Sequence, residues 1–440
     1  MLLSFCLLAL GCDSSSTEGS TVEPAPQADT AVEYSDEELR KLRGQSGSPQ
    51  PLVRKDETRG EPTPKEIQAV CKSIGVFSHR VGLFEVTRED LDLLSVPSWL
   101  EPKAKAREPG APLYARVKQA NAQGNRVLLL LHGTKLQTWP GFVGLASTLF
   151  PEQGEGQQAQ PIVLAFDHRA STKGMCTNLQ SFKAKLDAWE ALTGEPIHIS
   201  VDILAMSRGG LLAQFLSQPA AVQAHCPELI AEHGQDWLAP HSLEIHKTIL
   251  LATPNSGSSL ARLHPFAAKR LGCTYANAEQ TRPAPPEEPE TVEKWEKPMA
   301  GALGQRPGSR LLTELHAHPP SAEHTAATWV IASNYRPEPP DVATKKIYDM
   351  RANDLVVDLF SSFYRVTKGG KAQHVAPKDH SFIVPEEQYT SHLGTPYNAS
   401  VNTCVGAILW KAEDEAVAAC SRANLEQRPE EFTIDLKTFF

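Results

Sequence analysis

The chain has 440 residues, of which 41% are hydrophobic and 22% charged, and its mean hydropathy is -0.31. This composition predicts a folded globular protein and excludes wholesale disorder, a collagen and a multi-span membrane protein. The net charge is -9, but eight acidic residues and no Lys or Arg lie between Asp13 and Glu38. The acidity therefore lies in this stretch and the rest of the chain is close to neutral. A net charge of -9 argues against nucleic acid as a partner.

The amino terminus is typical of an export signal. Residues 1–11 read MLLSFCLLALG, an apolar run too short to span a bilayer but suited to the core of a signal peptide. Residues 9–12, ALGC, resemble the lipobox of bacterial lipoproteins, in which the Cys is lipidated and becomes the new amino terminus. The resemblance implies that residues 1–12 are a signal peptide, that Cys12 is a lipid anchor, and that the protein is extracytoplasmic on a bacterial membrane.

The next segment, residues 13–65, is predicted to be a disordered tether. It is rich in Ser, Thr, Glu and Pro, with too few apolar residues to offset the loss of chain entropy on folding. The folded domain is expected to occupy residues 66–440. One or two disulfide bonds are predicted in that domain, with the pairing left open among Cys71, Cys176, Cys226, Cys273, Cys404 and Cys420.

Apolar runs alternate with amphipathic stretches along the body of the chain. One or two opening strands are predicted within residues 75–86, and the alternation predicts an α/β protein with a mostly parallel sheet. The long excursion at residues 255–325, which contains RPAPPEEPE, is predicted to be a cap or lid. Predicted buried strands are residues 126–131, 162–166, 197–204, 248–252, 329–332 and 381–384, and predicted helices are residues 179–192, 211–216 and 400–419.

The third buried strand leads into a motif that carries chemistry. Residues 201–211, VDILAMSRGGL, match the nucleophile elbow G-x-S-x-G with Ala205 in the first Gly position. A sharp turn from strand to helix requires small residues two before and two after the serine, and Ala205 and Gly209 are small. The helix amino terminus also favours a developing anion. The motif predicts Ser207 as a nucleophile; the alternative is a serine that only caps the helix.

A second loop follows the first buried strand and reads HGT. In folds with a nucleophile elbow, the loop at this position supplies one amide of an oxyanion hole, and the residue after the nucleophile supplies the other. The amides of Thr134 and Arg208 are therefore the predicted donors. His132 is expected to be a structural residue that holds the loop.

Three segments together resemble the lipase branch of the α/β hydrolases: LLLLHGT at 128–134, VDILAMSRGGL at 201–211 and LLATPNSGSSLA at 250–261. RPGSRLLTEL at 306–315 also resembles a stretch that some members carry in the cap. The resemblance covers roughly residues 126–400 and departs at residues 205–206, where the family has a His and this chain has Ala-Met. It implies an α/β-hydrolase fold with helices on both faces of the sheet and a cap insertion.

The order of the family's triad, Ser then Asp then His, assigns the other two roles. Residues 353–357, NDLVV, resemble the segment with the family's acid, which implies that Asp354 orients the imidazole. Residues 391–398, SHLGTPYN, precede the last helix, as the family's base does, which implies His392 as the base. Asp358 and Asp349 are the alternative acids, and His380 is the alternative base.

The implied activity is that of a serine hydrolase that cleaves carboxylic esters through an acyl-enzyme. Acyl transfer or amide cleavage by the same triad, and a non-catalytic lipid- or protein-binding module, are the alternatives. The expected partners are an ester or lipid substrate and a membrane, reached through the anchor. No cofactor is predicted, because neither G-x-G-x-x-G nor GKS/T occurs. No metal is predicted, because the pair His316 and His318 has no further ligands at suitable spacing.

Overall fold

The computed structural model describes residues 81–88, 109–125, 127–134, 141–151, 161–168, 173–262, 304–335, 352–354, 356–366 and 372–430. The predicted signal peptide, Cys12, the tether, most of the cap and Asp349 lie outside the described residues. Among the described residues, no helix combines the length and the apolar character needed to cross a bilayer.

Within the described ranges, eight strands form one sheet in the order β1-β3-β2-β4-β5-β6-β9-β10, and β7 pairs with β8 separately. The six strands from β3 to β9 are parallel, while β1 and β10 pair antiparallel at the two sides. The strands are β1 Gly82–Val86, β2 Val127–Leu131, β3 Val163–Asp167, β4 His198–Met206, β5 Ser242–Leu251, β6 Thr328–Ser333, β7 Tyr364–Val366, β8 Ala372–His374, β9 Ser381–Val384 and β10 Glu426–Gln427.

Helices connect the consecutive parallel strands, as crossover connections require, and further helices precede β2 and follow β9. They are α1 Ala111–Ala122, α2 Ala146–Leu149, α3 Met175–Thr193, α4 Arg208–Ser217, α5 Pro219–His225, α6 Pro227–His233, α7 Arg310–Ala317, α8 Ala322–Ala326, α9 Leu359–Phe363, α10 Ala399–Trp410 and α11 Glu413–Arg422. Short 3-10 turns occupy Val143–Leu145, Ser259–Arg262, Glu386–Gln388 and His392–Tyr397.

The central strands are apolar on both faces because each face carries its own core. In β2, Leu129 and Leu131 point into a cluster that includes residues of α1, α3 and α4. Leu128 and Leu130 point into a second cluster that includes residues of α10 and α11. Successive side chains of a strand face opposite sides, so only an unbroken apolar run can fill both layers. The predicted α/β fold, with helices on both faces of a mostly parallel sheet, is confirmed.

The prediction of one helix over residues 400–419 is wrong. The structure ends α10 at Trp410 and starts α11 at Glu413, with Lys411 and Ala412 in extended conformation. Three acidic residues then occupy the first turn of α11, where the helix dipole favours negative charge. The break lets α11 fold back on α10, and the disulfide bond Cys404–Cys420 joins the two helices.

A second disulfide bond, Cys176–Cys226, joins the first turn of α3 to the junction of α5 and α6. The prediction of one or two disulfide bonds is thereby confirmed within the described residues, and Cys71 and Cys273 lie outside them.

The parallel strands all end at one edge of the sheet, which we call the carboxyl edge. The chain enters the sheet at this same edge, because Gly82, the first residue of the antiparallel β1, pairs with Asp167, the last residue of β3. Ser207 follows β4 at the carboxyl edge, and Gly133 lies in the loop after β2. Ligands of open α/β sheets bind outside this edge.

Candidate active site

Ser207 occupies a strained turn between β4 and α4. Its backbone has φ 53° and ψ -128°, a conformation that non-glycine residues rarely adopt. The Ser207 amide donates to the carbonyl of Leu251, 2.8 Å away, at the end of the neighbouring β5. Such strain persists only where the surroundings fix it, and it costs about 1–3 kcal/mol. The backbone is that of the nucleophile elbow expected from the sequence.

Two glycines make this turn possible. A Cβ added to Gly209 would lie 2.1 Å from the carbonyl oxygen of Leu131, so the first turn of α4 packs directly on the end of β2. A Cβ added to Gly133 would lie 2.7 Å from Ser207 Cβ and 3.3 Å from Ser207 Oγ. The loop after β2 therefore passes as close to the serine as a glycine backbone allows.

The two amides expected to form an oxyanion hole flank this contact. Thr134 follows Gly133 in the loop, and Arg208 follows Ser207 at the start of α4. Among the described residues, neither amide donates a backbone hydrogen bond. The Thr134 hydroxyl accepts a hydrogen bond from Gln305 Nε2 at 2.9 Å. Gln305 is a residue that sequence reasoning missed; the only signal was its position just before the RPGSRLLTEL segment.

His132 makes the contacts of a structural histidine. Its Nε2 accepts from the amide of His168 at 3.0 Å, and its Nδ1 donates to the carbonyl of Gly133 at 2.8 Å. The two imidazoles stack with centroids 4.2 Å apart. Burial lowers the pKa of His132, and the nearby Asp167 opposes this shift only in part. A neutral, fully buried His132 thus ties the HGT loop to the end of β3, as expected.

Asp354 and His392 form a buried hydrogen-bonded pair. His392 Nδ1 lies 2.7 Å from Asp354 Oδ2, and the backbone amide of His392 donates to the Asp354 carbonyl at 2.8 Å. The other carboxylate oxygen, Oδ1, accepts from the amides of Val356 at 2.9 Å and Val357 at 2.7 Å. With Nδ1–H donating to the carboxylate, Nε2 is left as the basic nitrogen of the ring.

The segment that carries His392 is held above the end of β6. Thr395 Oγ1 lies 2.9 Å from the hydroxyl of Ser333, the last residue of β6. No hydrogen bond joins Ser207 Oγ to His392 within the described structure. The hydrogen bond between a nucleophile and its base is often long in unliganded enzymes and tightens when substrate binds.

The alternative acid and base have other partners. Asp358 Oδ2 accepts from the amide of Ser259 at 3.2 Å and from its hydroxyl at 2.6 Å, which fixes the loop after β5. His380 stacks on Trp329 at 3.8 Å and contacts Glu413 at 3.1 Å. His380 also precedes β9, so it lies at the edge of the sheet opposite Ser207.

His316 in α7 ties the loop after β5 to the strand β7. Its Nε2 lies 2.7 Å from the carbonyl of Asn255, and its Nδ1 lies 2.8 Å from the carbonyl of Val366. Burial lowers the pKa of His316 to about 4. A neutral imidazole carries one N–H, so His316 donates to only one of these two carbonyls, and its other nitrogen packs against the second.

Two clusters in the described residues have the spacing of metal ligands: Cys176, His225 and Cys226, and Asp187, Glu190 and His241. In the first, the two sulfurs are joined as a disulfide bond. In the second, His241 Nδ1 accepts from the amide of Ile197 at 3.2 Å, so Nε2 carries the proton and donates to Asp187 at 2.8 Å. The ammonium of Lys183 lies 2.7 Å from the same carboxylate oxygen. The two sulfurs of the first cluster and the Asp187–His241 pair of the second are therefore already bonded to partners in the fold.

The parallel sheet, the elbow at Ser207 after β4, and the Asp354–His392 pair at the same edge define the fold of an α/β hydrolase. Over residues 96–403 the sequence matches the family described as Domain of unknown function (DUF7379). The chain belongs to this family. No curated protein matches it.

Solved structures to which the chain is similar include lipases and a phospholipase. A Bacillus licheniformis lipase, BlEst2 in mature form, is 14% identical with a TM-score of 0.36, over 64% of this chain and 91% of that one. Phospholipase PlaB from Legionella pneumophila is 15% identical with a TM-score of 0.40, over 68% and 63%. A Staphylococcus hyicus lipase is 12% identical with a TM-score of 0.36, over 68% and 96%.

Proposed function

We propose that the protein is a serine hydrolase that cleaves carboxylic esters through an acyl-enzyme. The observation that carries the proposal is the buried pair of His392 Nδ1 and Asp354 Oδ2, 2.7 Å apart, at the sheet edge where Ser207 stands in a strained elbow. A nucleophile, a base and a group that orients the base are the three parts that acyl transfer needs.

In the first half of the proposed reaction, Ser207 Oγ attacks the ester carbonyl carbon while His392 Nε2 takes the hydroxyl proton. The carbonyl oxygen becomes an oxyanion, which the amides of Thr134 and Arg208 stabilise. The tetrahedral intermediate then collapses: the bond to the alcohol oxygen breaks, and His392 returns its proton to that oxygen. Asp354 stays ionised throughout and stabilises the imidazolium.

In the second half, water attacks the acyl-enzyme carbonyl and gives a proton to His392. The bond to Ser207 Oγ breaks, Oγ regains the proton from His392, and the carboxylic acid leaves. His132 has no place in these steps, because both of its ring nitrogens are engaged by the fold.

The test is labelling by a fluorophosphonate probe together with turnover of 4-nitrophenyl esters. The wild type is expected to be labelled and to turn over, whereas Ser207→Ala loses both. Removing Ser207 or His392 is expected to lower kcat by several orders of magnitude. Ser200→Ala in the same strand β4, whose hydroxyl bonds to Glu244, is the matched control and is expected to keep the label. An unlabelled, inactive wild type would refute the proposal.

The position of the protein is a separate proposal. We propose that Cys12 is lipidated and holds the hydrolase domain at a bacterial membrane through residues 13–65. The proposal is supported by the apolar run of residues 1–11, the ALGC sequence and the acidic, Pro-rich spacer that follows. Cys12→Ala is expected to move the protein from the membrane fraction to the soluble fraction, and unchanged partitioning would contradict the anchor.

A further inference from the structure

The side chain of Arg208 is a buried cation that forms no ion pair with any of the described residues. Its residue is 0% exposed, and one guanidinium nitrogen, Nη2, donates to the carbonyl of Lys173 at 3.1 Å. Its Nε and Nη1 are also buried and have no hydrogen-bond partner among the described residues. Burial is the cause that lowers the pKa of Arg208 to about 9. A buried charge of this kind is costly unless it is paired.

The second observation is the amino end of α3, which lies at the same place. Lys173, whose carbonyl binds Arg208, directly precedes the N-cap residue Gly174. This helix has 19 residues, no side-chain cap and no acidic residue in its first turn. Its first amides and its dipole therefore favour an anion, and a guanidinium placed there makes the positive field stronger.

A buried imidazole adds a further polar group beside the guanidinium. His168 is fully buried, and its Nε2 has no partner among the described residues. Burial lowers the pKa of His168 well below its usual value, and the charges of His132 and Arg208 lower it further. His168 is therefore neutral and carries one N–H. Its Nδ1 lies 3.5 Å from the carbonyl of Phe166, so Nε2 donates to an anion only in the tautomer that gives up this long contact.

We propose that Arg208 and the amino end of α3 form a subsite for an anionic group of the ester substrate. A carboxylate, sulfate or phosphate there would complete the bonds of Nε and Nη1 and offset the positive field. Because Arg208 follows Ser207, this group would lie roughly one arginine side chain, about 6–7 Å, from the nucleophile. The inference rests on the proposed function and names its substrate class: esters with an anion a few bonds from the carbonyl.

The first test compares two esters that differ only at the chain end. Hexanoic acid 4-nitrophenyl ester ends in a methyl group, and the mono-4-nitrophenyl ester of adipic acid ends in a carboxylate at the same position. The wild type is expected to favour the charged ester. In Arg208→Met the ratio of kcat/KM, charged over uncharged, is expected to fall about 10- to 100-fold, the range for hydrogen bonds to a charged group.

A second pair of esters carries the anion on the alcohol side: dihexanoylphosphatidic acid has a phosphate, and dihexanoylglycerol has none. Their kcat/KM values are compared in the same way. A loss confined to the phosphate pair places the anion in the headgroup, and a loss confined to the adipate pair places it in the acyl chain. Arg208→Lys keeps the charge but not the planar donor array, so its ratio is expected to lie between those of the wild type and Arg208→Met. Arg365→Met is the matched control, because Arg365 is nearly as buried, 3% exposed against 0%, but lies in β7.

The second test needs no catalysis. Inorganic sulfate or phosphate, added at constant ionic strength, is expected to raise the Tm of the wild type, of Ser207→Ala and of Arg365→Met. The same anions are expected to leave Arg208→Met unchanged. Arg208→Met is also expected to have a higher Tm than the wild type in chloride buffer, because it removes an unpaired buried charge.

Equal ratios for wild type and Arg208→Met, or an anion effect on Tm that Arg208→Met retains, would overturn the subsite. These outcomes can be distinguished from a failure of the proposed esterase function. If Ser207→Ala kept full esterase activity, the mechanism would be wrong, but the sulfate measurement would still decide whether Arg208 binds an anion.

Discussion

Gly133→Ala tests how closely the loop after β2 must approach the nucleophile. The added Cβ would lie 2.7 Å from Ser207 Cβ, whereas ordinary contacts begin at 3.4 Å. The loop or the elbow must therefore move by about 0.7 Å. A misplacement near 1 Å can cost about 100-fold in rate, so we expect kcat/KM to fall roughly 10- to 100-fold. Overpacking of this size is also expected to lower the free energy of unfolding by about 1–3 kcal/mol.

The assay is ester turnover, with thermal unfolding measured on the same samples to separate inactivity from unfolding. Gly394→Ala is the matched control, two residues from His392, where a Cβ would make only ordinary contacts at 3.4 Å with Ser391 and 3.7 Å with Thr390. Its rate and Tm are expected to stay near those of the wild type. A Gly133→Ala protein with wild-type Tm and wild-type kcat/KM would refute the reasoning.

Three further predictions concern the neighbours of the site. Asp354→Asn is expected to lower kcat by about three to four orders of magnitude, because the amide supports the wrong imidazole tautomer. Asp358→Asn is expected to lower Tm more than kcat. If Asp358→Asn lowered kcat by orders of magnitude and Asp354→Asn lowered mainly Tm, the two residues would exchange roles. Gln305→Ala is expected to lower kcat with little change in KM. In a Thr134→Val background the same substitution is expected to lower kcat no further. Additive losses of kcat in this double-mutant cycle would contradict a functional contact between Gln305 and Thr134. The Tm is expected to fall as pH drops from about 6.5 towards 4. The pKa of His316 is about 4 in the folded protein, so over this range the unfolded chain takes up a proton at His316 that the folded protein does not. A His316→Gln variant with the same pH dependence of Tm would exclude this cause.

The sheet was predictable because its strands are buried on both faces. A run such as VLLLL at 127–131 has no polar residue to place on either side, so only a strand inside a two-layer core suits it. The break between α10 and α11 was not predictable in the same way. Residues 400–419 keep helical spacing across the break, and the reversal at Lys411 depends on packing between distant segments and on the disulfide bond Cys404–Cys420.

Within the site, too, the features with a local sequence signature could be predicted and those that depend on distant contacts could not. The elbow at Ser207 has a local signature, since small residues must flank the serine, and the positive φ is found where that signature stands. The pairing of Asp354 with His392 joins residues 38 apart and followed only from the family resemblance. The contact of Gln305 with Thr134 joins residues 171 apart and has no local pattern at all. Arg208 Nε and Nη1 have no hydrogen-bond partner among the described residues, and this too is a property of their surroundings that no local sequence pattern shows.

The entry of the chain at Gly82 bears on how the protein would meet its substrate. Gly82 pairs with Asp167 at the end of β3, so the amino-terminal segment joins the domain on the side of the sheet that carries Ser207. If Cys12 holds the chain in a lipid layer, as proposed, the domain is tethered through a segment that enters it at the same edge of the sheet as Ser207. A substrate in the same layer would then be at a high local concentration, because it and the anchored protein would both diffuse in two dimensions.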